Sequence, residues 1–212
     1  MSKNLKTIIN DYYISQQRDR KKVRFYISEA GKCPRQVFYS FKDTPKKALD
    51  PNFLRLFDQG DHMHQMIMKS LLSAKGVKVI AAEINIPPQN LISGRADAII
   101  EKDRELFVLD IKSINSRAFG YLKEAKEDNV KQLQLYLHYF QIQKGILLYV
   151  DKDKLRLKEY EVIYDRVEAE RLISELTTLQ KQIDSNVLPP RLKDYPKFWG
   201  CKYCRYKKTC DK

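Results

Sequence analysis

The sequence predicts a mixed α/β fold: a mixed β-sheet with helices on both sides and a cysteine-rich cap at the C-terminus. Three observations predict it. Helical patterns come first, three strand-like runs follow between 77 and 114, and a second pair of strand-like runs precedes a final helix. This order is typical of a sheet flanked by helices. We expect a single domain over 1–212, with a helical part at 1–76, a core at 77–185 and a cap at 186–212.

The N-terminal part predicts three helices. The first covers about 3–18, and a short one begins at Pro34, because proline suits the first turn of a helix. Asp50 and Pro51 form a good pair of N-cap and first helical residue. The helix that they open is expected to end at Gly76, since glycine favours helix C-termini.

The core predicts a β-meander. Its strands are expected at 77–86, 91–100 and 106–114. The first two are separated by a turn at 87–90, and the last two by a short charged turn around Asp103 and Arg104.

The remaining chain predicts more helix and strand. Two helices are expected across 117–143, a hairpin with strands at 146–151 and 155–163, and a helix over 165–185. The tail over 189–212 contains three of the four cysteines and is expected to be irregular.

The composition favours a nucleic-acid partner. The chain has 40 Lys and Arg against 27 Asp and Glu, a formal net charge of +13, and 13 Tyr and 9 Phe that could stack on bases. No apolar signal region or membrane-length segment is present, so we expect a cytoplasmic protein without a membrane partner. Glycine-rich phosphate loops are also absent, so no nucleotide cofactor is expected.

An acid and a base occur unexpectedly at the end of an apolar strand. Asp110 and Lys112 lie two residues apart, so their side chains share one face, and a tight turn would place Asp97 opposite Asp110. Two facing carboxylates suit a hard cation such as Mg²⁺ or Mn²⁺, which can activate water for phosphodiester hydrolysis. The alternative is an exposed salt bridge at the end of the strand; the same pattern at Glu124 and Lys126 is expected to lie in solvated helix or loop.

These residues resemble a known nuclease core. Gly94-Arg-Ala-Asp97 followed by Leu109-Asp-Ile-Lys112 is similar to the PD-(D/E)xK nuclease core, and more narrowly to its RecB-like branch. That branch adds a helical histidine in a Gly-x-x-x-His setting, which His64 matches after Gly60, with His62 as the second choice. It also carries a Gln-x-x-x-Tyr helix, which Gln132 and Tyr136 match.

The cysteines indicate a metal site. Cys201, Cys204 and Cys210 form a compact group, with Cys33 far away in the chain, and this chemistry alone leaves zinc and [4Fe–4S] open. The layout resembles the iron–sulfur Cas-four family of CRISPR-associated exonucleases and the nuclease domain of AddB-type proteins. This resemblance covers about 26–210, implies a [4Fe–4S] cluster on the four cysteines, and suggests a stand-alone nuclease of viral or prokaryotic origin.

The resemblance implies a function and a set of residues. It implies a metal-dependent exonuclease acting on single-stranded DNA or overhangs, in CRISPR adaptation, recombination or repair, with an integrase or recombination protein as an additional partner. His64, Asp97, Asp110 and the Ile111 carbonyl would hold Mn²⁺ or Mg²⁺, and Lys112 would position or deprotonate the attacking water. Gln132 and Tyr136 would steady the lysine or the DNA. The expected DNA contacts are Arg95, Lys197, Trp199, Tyr203, Arg205 and Tyr206.

Two alternatives remain open. One is a catalytically silent DNA-binding module, and the other is an endonuclease clasped by zinc. Glu83 is expected to be a salt-bridged surface residue, with a role as a further site acid as the less favoured choice.

Overall fold

The architecture is built around a five-stranded mixed sheet. It comes from a computed structural model that describes residues 3–17, 22–87 and 91–212. The strand order in the sheet is β2-β4-β5-β6-β7, and β1 and β3 form a separate two-stranded parallel sheet. The strands are β1 (Phe25–Tyr26), β2 (Val77–Asn85), β3 (Ile92–Ser93), β4 (Arg95–Lys102), β5 (Glu105–Ile114), β6 (Lys144–Asp151) and β7 (Leu157–Ile163).

Helices precede, interrupt and follow the sheet. They are α1 (Leu5–Ser15), α2 (Pro34–Phe41), α3 (Pro51–Ser73), α4 (Ser116–Tyr121), α5 (Glu127–Phe140), α6 (Arg166–Asp184), α7 (Trp199–Tyr203) and α8 (Lys207–Cys210), with a 3₁₀ turn at Ile27–Glu29. Within the described part of the chain, none of the helices is long and apolar enough to cross a membrane.

The connections fix the direction of each strand. The pairs β2–β4, β4–β5 and β6–β7 are antiparallel, whereas β5 and β6 are parallel and are joined through α4 and α5. A parallel pair needs such a crossover connection. The turn between β4 and β5 consists of Asp103 and Arg104, both at positive φ (53° and 66°), which is the backbone that a two-residue type I′ hairpin requires. The predicted tight turn is therefore confirmed.

Helices cover the two faces of the sheet, as predicted. On one face, Leu133 of α5 and Leu172 of α6 belong to the same buried cluster as Val108 of β5. On the other face, Ile67 of α3 packs with Leu109 of β5. The alternation of Val108 and Leu109 between the two clusters follows from the two-residue period of a strand.

The long helix α3 begins where the sequence predicts. The Asp50 side chain accepts a hydrogen bond from the Asn52 amide at 2.8 Å, and Pro51 occupies the first turn. The helix ends at Ser73, slightly before the predicted end at Gly76, whose φ is +87°.

The strand predicted over 91–100 is broken in two at Gly94. A Cβ at this position would lie 2.9 Å from Ile27 Cβ and 3.2 Å from Tyr136 Cε1, so the chain packs too closely here for any side chain. Before the break, β3 pairs with β1, a short strand that the sequence does not predict because two residues carry no periodic signal.

Smaller differences concern the two ends of the chain. The helix predicted over 3–18 is shorter, since α1 ends at Ser15, and residue 18 lies outside the described residues. The tail predicted to be irregular contains the short helices α7 and α8. The remaining predictions, two helices over 117–143, the β6–β7 hairpin and the helix over 165–185, are confirmed. The turn predicted at 87–90 lies mostly outside the described residues.

Candidate active site

Two carboxylates lie on neighbouring strands at one end of the sheet. The β4–β5 ladder pairs Ala98 with Leu109, and the same register continued by one residue places Asp97 opposite Asp110. Asp97 Oδ2 accepts a hydrogen bond of 2.6 Å from the Ile111 amide, which holds the Asp97 side chain against β5. The structure thus brings together the pair of acids that the sequence predicts.

Lys112 lies beside Asp110 and is held on two sides. Its Nζ is 2.8 Å from Asp110 Oδ2 and donates a hydrogen bond of 2.9 Å to Gln132 Oε1. Both partners are expected from the fold, because Asp110 is two residues away on the same strand and Gln132 is on the crossover helix α5. The ammonium group is therefore fixed next to the carboxylate pair.

Asp110 is the most strongly perturbed acid of the site. It is 4% exposed, and burial raises its pKa to about 6; the positive charge of Lys112 opposes this shift, and the negative charge of Asp97 adds to it. Although Lys112 Nζ is close to Asp110 Oδ2, its direction is unsuitable for a hydrogen bond. Among the described residues, Oδ2 has no hydrogen-bond donor. A buried carboxylate oxygen in this state is suited to accept a cation.

His64 reaches the site from α3. Its Nδ1 lies 3.2 Å from Asp97 Oδ1. Burial by itself lowers the pKa of His64, but the hydrogen bond to Asp97 and the charges of Asp97 and Asp110 outweigh it, so the pKa is raised. His62, the second choice from the sequence, is 68% exposed at its side chain and lies 3.9 Å from Asp58, away from the carboxylate pair.

The helix α5 supports the site from one face of the sheet. Gln132 and Tyr136 are one helical turn apart, and both face β4 and β5. The Tyr136 hydroxyl donates to the Arg95 carbonyl at 2.7 Å, and burial, followed by the charge of Asp110, raises the pKa of Tyr136. Gln132 therefore orients Lys112, whereas Tyr136 anchors α5 to the strand that carries Asp97.

The predicted ligands are close to one another without forming a complete metal-binding group. Among residues 3–17, 22–87 and 91–212, no group of three or more His, Cys, Asp or Glu side chains has the arrangement of a metal site. In this arrangement Asp97 is engaged with His64 and Ile111, and Asp110 with Lys112.

The four cysteines line a single pocket. Cys33, at the start of α2, lies with Cys201, Cys204 and Cys210, and none of them forms a disulfide. Burial raises the pKa of Cys201 and of Cys204, and the negative charges of the neighbouring cysteines add to both shifts. Thiols so arranged would be easier to ionise with a cation between them.

Hydrogen bonds join the N-terminal part to the tail around this pocket. Arg35 donates to the Pro189 carbonyl at 2.7 Å and lies 3.9 Å from Cys210 Sγ. Lys47 and Arg205 exchange two further bonds, of 3.0 and 2.7 Å. The two ends of the chain are thus in contact through protein groups alone.

The predicted DNA-binding residues differ in their surroundings. Lys197, Trp199 and Tyr203 are exposed at the surface of the cap. Tyr206 is 7% exposed and packs against Tyr39 with ring centroids 5.6 Å apart. The prediction for Tyr206 is therefore wrong, because its ring belongs to the core.

Arg95 is not isolated at the surface. It forms an exposed ion pair of 3.4 Å with Glu83, so the surface salt bridge expected for Glu83 is confirmed. Exposed pairs of this kind are weak and exchange easily with other anions.

Helix α3 approaches the end of β5 closely, which the sequence prediction does not include. A Cβ on Gly60 would lie 3.3 Å from Ser113 Oγ, and Lys152 Nζ donates to the Leu56 carbonyl at 2.7 Å. Glycine inside a helix costs about 1 kcal/mol relative to alanine, so its presence there was a signal of close packing.

The fold and this arrangement agree with a known family. The family model described as the PD-(D/E)XK nuclease superfamily matches residues 59–211. The matched segment contains His64, Asp97, Asp110, Lys112, Gln132 and three of the four cysteines, and it spans most of the chain. The chain belongs to the PD-(D/E)XK nuclease superfamily and is a nuclease homologue.

Two of the similar proteins are named as exonucleases. The CRISPR-associated exonuclease Cas4 of Saccharolobus solfataricus is 30% identical over 191 residues, which cover 87% of this chain and 86% of that protein. The crystal structure of SSO0001 has a TM-score of 0.62 at 24% identity and covers 98% of this chain and 96% of its own. The alkaline exonuclease LHK-Exo of Laribacter hongkongensis has a TM-score of 0.56 at 14% identity, with coverages of 91% and 99%. Both crystal structures share the fold of this chain.

We expect Asp110→Asn to stabilise the metal-free protein at neutral pH. The folded pKa of Asp110 lies above its ordinary value, so the wild type loses stability as the pH rises from about 4 to about 6, on the order of 3 kcal/mol, and the neutral amide does not. Melting temperatures of EDTA-treated proteins between about pH 4 and pH 8 measure this difference. Asp43→Asn, at an exposed loop position, is the control. A gain in melting temperature for Asp110→Asn that is equal at every pH would contradict the raised pKa of Asp110.

Proposed function

We propose that this protein is a metal-dependent DNA exonuclease that hydrolyses phosphodiester bonds in single-stranded DNA or overhangs. Membership of the nuclease superfamily supports the class of reaction. One observation supports the site: the buried Asp110 carboxylate, with an oxygen that has no hydrogen-bond donor among the described residues, lies beside Lys112 and opposite Asp97.

His64, Asp97, Asp110 and the Ile111 carbonyl are the proposed ligands of Mn²⁺ or Mg²⁺. The residues fit such an ion, because the buried Asp110 Oδ2 is in an ion pair with Lys112 but has no hydrogen-bond donor among the described residues, and a cation would replace the proton between His64 and Asp97. The imidazole ligand favours Mn²⁺. A divalent cation held there would make water a better nucleophile and offset negative charge on the phosphate.

The other residues act on the substrate and on one another. Lys112, fixed by Gln132 and Asp110, would donate to a phosphate oxygen or orient the attacking water. Tyr136 keeps α5, and with it Gln132, at a constant distance from β4. The Ile111 amide keeps Asp97 in place.

We expect Lys112→Ala and His64→Ala to reduce cleavage of labelled single-stranded DNA at least about 100-fold, since each removes a group that acts on the transition state or the ion. His62→Ala is the matched control, because this histidine is on the same helix but outside the site, and it should retain wild-type rates. Mn²⁺ should also raise the melting temperature of the wild type more than that of His64→Ala. Equal cleavage rates for Lys112→Ala, His64→Ala and His62→Ala would exclude this site as the place of catalysis.

The four cysteines are the proposed ligands of a [4Fe–4S] cluster. The argument for a metal centre is their common pocket and the absence of disulfides among them; as placed, the four thiols do not have the arrangement of a metal site. The argument for iron and sulfide, as against zinc, is the resemblance of the cysteine layout to the iron–sulfur nucleases. The cluster would reinforce contacts between the N-terminal part and the tail that protein groups already make.

Freshly purified protein is expected to be brown and to contain iron and acid-labile sulfide. Replacing Cys33 or Cys204 by serine should bleach the protein and lower its melting temperature, because metal binding is coupled to folding. Metal analysis and the visible spectrum provide the measurement. Colourless protein with one zinc per chain would overturn the cluster and leave the nuclease site unaffected.

The proposed substrate is a flexible DNA strand. The net charge of +13 favours a polyanion, and the exposed Lys197, Trp199 and Tyr203 could bind phosphates and bases near the cap. The relatives named as exonucleases support attack at an end. The clasp between Cys33 and the tail favours threading of a thin strand, in CRISPR adaptation, recombination or repair, with an integrase or recombination protein as the partner.

A circular single strand tests the requirement for an end. We expect linear single-stranded DNA to be degraded at least about 100-fold faster than a circle of the same sequence, because only the linear strand offers an end to the site. The duplex form of the linear DNA serves as a second comparison. Circles cut as fast as linear strands would indicate an endonuclease with an open cleft.

A further inference from the structure

One face of α3 leads from the protein surface to the candidate active site. Phe53, Phe57, Gly60 and His64 are spaced by four, three and four residues, so they lie on the same side of the helix. The C-terminal half of this face contacts the sheet: Gly60 adjoins Ser113, and His64 contacts Asp97. The N-terminal half extends beyond the sheet.

The two phenylalanines on this face are exposed where an apolar face is normally buried. Phe53 is 49% and Phe57 58% exposed, whereas Ile67, further along the same helix, is 7% exposed because it packs on the sheet. Single exposed apolar residues are common, but two rings one turn apart on the same side of a helix form an exposed apolar patch, and patches of this kind mark binding surfaces. The helix continues the apolar pattern past the point where the protein itself covers it.

A positive charge lies between the phenylalanines and the site. Lys152 Nζ donates to the Leu56 carbonyl at 2.7 Å and lies 4.0 Å from the position of a Cβ on Gly60. The order along this surface is therefore aromatic rings, a lysine, and then the carboxylate and lysine site. Alternating aromatic and basic groups are typical of surfaces that bind single-stranded nucleic acid.

We propose that Phe53 and Phe57 form a stacking platform for the bases of the DNA strand whose phosphate occupies the site. The helical rise places Phe57 about 10 Å and Phe53 about 16 Å along the axis from His64. At the duplex spacing of about 3.4 Å per nucleotide these distances correspond to about three to five nucleotides, and a more extended single strand would span them with fewer. Lys152 is positioned to bind a phosphate between them.

This platform rests on the proposed function, because its occupant is the same strand that is cleaved. DNA is favoured over a protein partner by the continuity of the aromatic face with the site and by the adjacent Lys152. Stacking on two rings would be tolerant of sequence, since every base has a π-face. It would select against a rigid duplex, whose bases are not available for stacking.

The double variant Phe53→Ala and Phe57→Ala tests the platform. Binding of a labelled oligothymidylate is measured by fluorescence anisotropy in EDTA, with the full-length protein. We expect Kd to rise about 10-fold or more, from the loss of stacking on two rings. An abasic oligonucleotide with the same phosphates should bind the wild type and the variant equally. The salt dependence of Kd should not change, because no phosphate contact is removed.

The control is Leu72→Ala, which removes a 67% exposed apolar side chain near the other end of the same helix. It should leave Kd unchanged. Phe57→Trp should bind oligothymidylate at least as well as the wild type, because its ring also stacks. Circular dichroism verifies that each variant is folded.

Three results would overturn the platform: an unchanged Kd for the double variant, an equal loss with the abasic strand, or a change of oligomeric state without a change in DNA binding. The last result would assign the face to a protein contact. Failure of the proposed function is a separate outcome. In that case wild-type protein with Mn²⁺ would cleave no DNA, whatever the phenylalanine variants do to binding.

Discussion

The burial of the Asp110 carboxylate is the constraint on which the rest of the site depends. A carboxyl group at 4% exposure on a central strand is costly, and its pKa of about 6 expresses that cost. Lys112 compensates only in part, since Asp110 Oδ2 still has no hydrogen-bond donor among the described residues. The surrounding groups keep this unfavourable arrangement in place: Gln132 holds the lysine, and the Ile111 amide holds Asp97. Under the proposed function, a bound cation would offset the cost of burying this carboxylate.

Two helices place the remaining side chains of the site around the two acids. The crossover helix α5 is required by the parallel pairing of β5 and β6, and it places Gln132 and Tyr136 over the acidic strands. Helix α3 comes from the other side of the sheet and approaches Ser113 closely enough that only glycine fits at position 60 without displacing a neighbour. That approach brings His64 to Asp97 and leaves His62 in solvent.

The contacts between the two ends of the chain also depend on polar groups. The tail is basic, and of its aromatic rings Trp199 and Tyr203 are exposed. Hydrogen bonds from Arg35 and Arg205 hold it against the N-terminal part, while Tyr206 inserts into the core beside Tyr39. The four cysteines collect in the pocket between these parts. The proposed metal centre would stabilise a contact that protein groups already make.

The sequence by itself determined the features that local chemistry controls. Asp50 and Pro51 set the start of α3, and the two-residue turn at Asp103 and Arg104 set the β4–β5 register, so Asp97 and Asp110 could be placed opposite each other in advance. Tertiary structure alone decided the break at Gly94, the pairing of β1 with β3 and the burial of Tyr206. Each of these depends on contacts between residues distant in the chain, and periodicity reports only which face a residue is on, not what will cover that face.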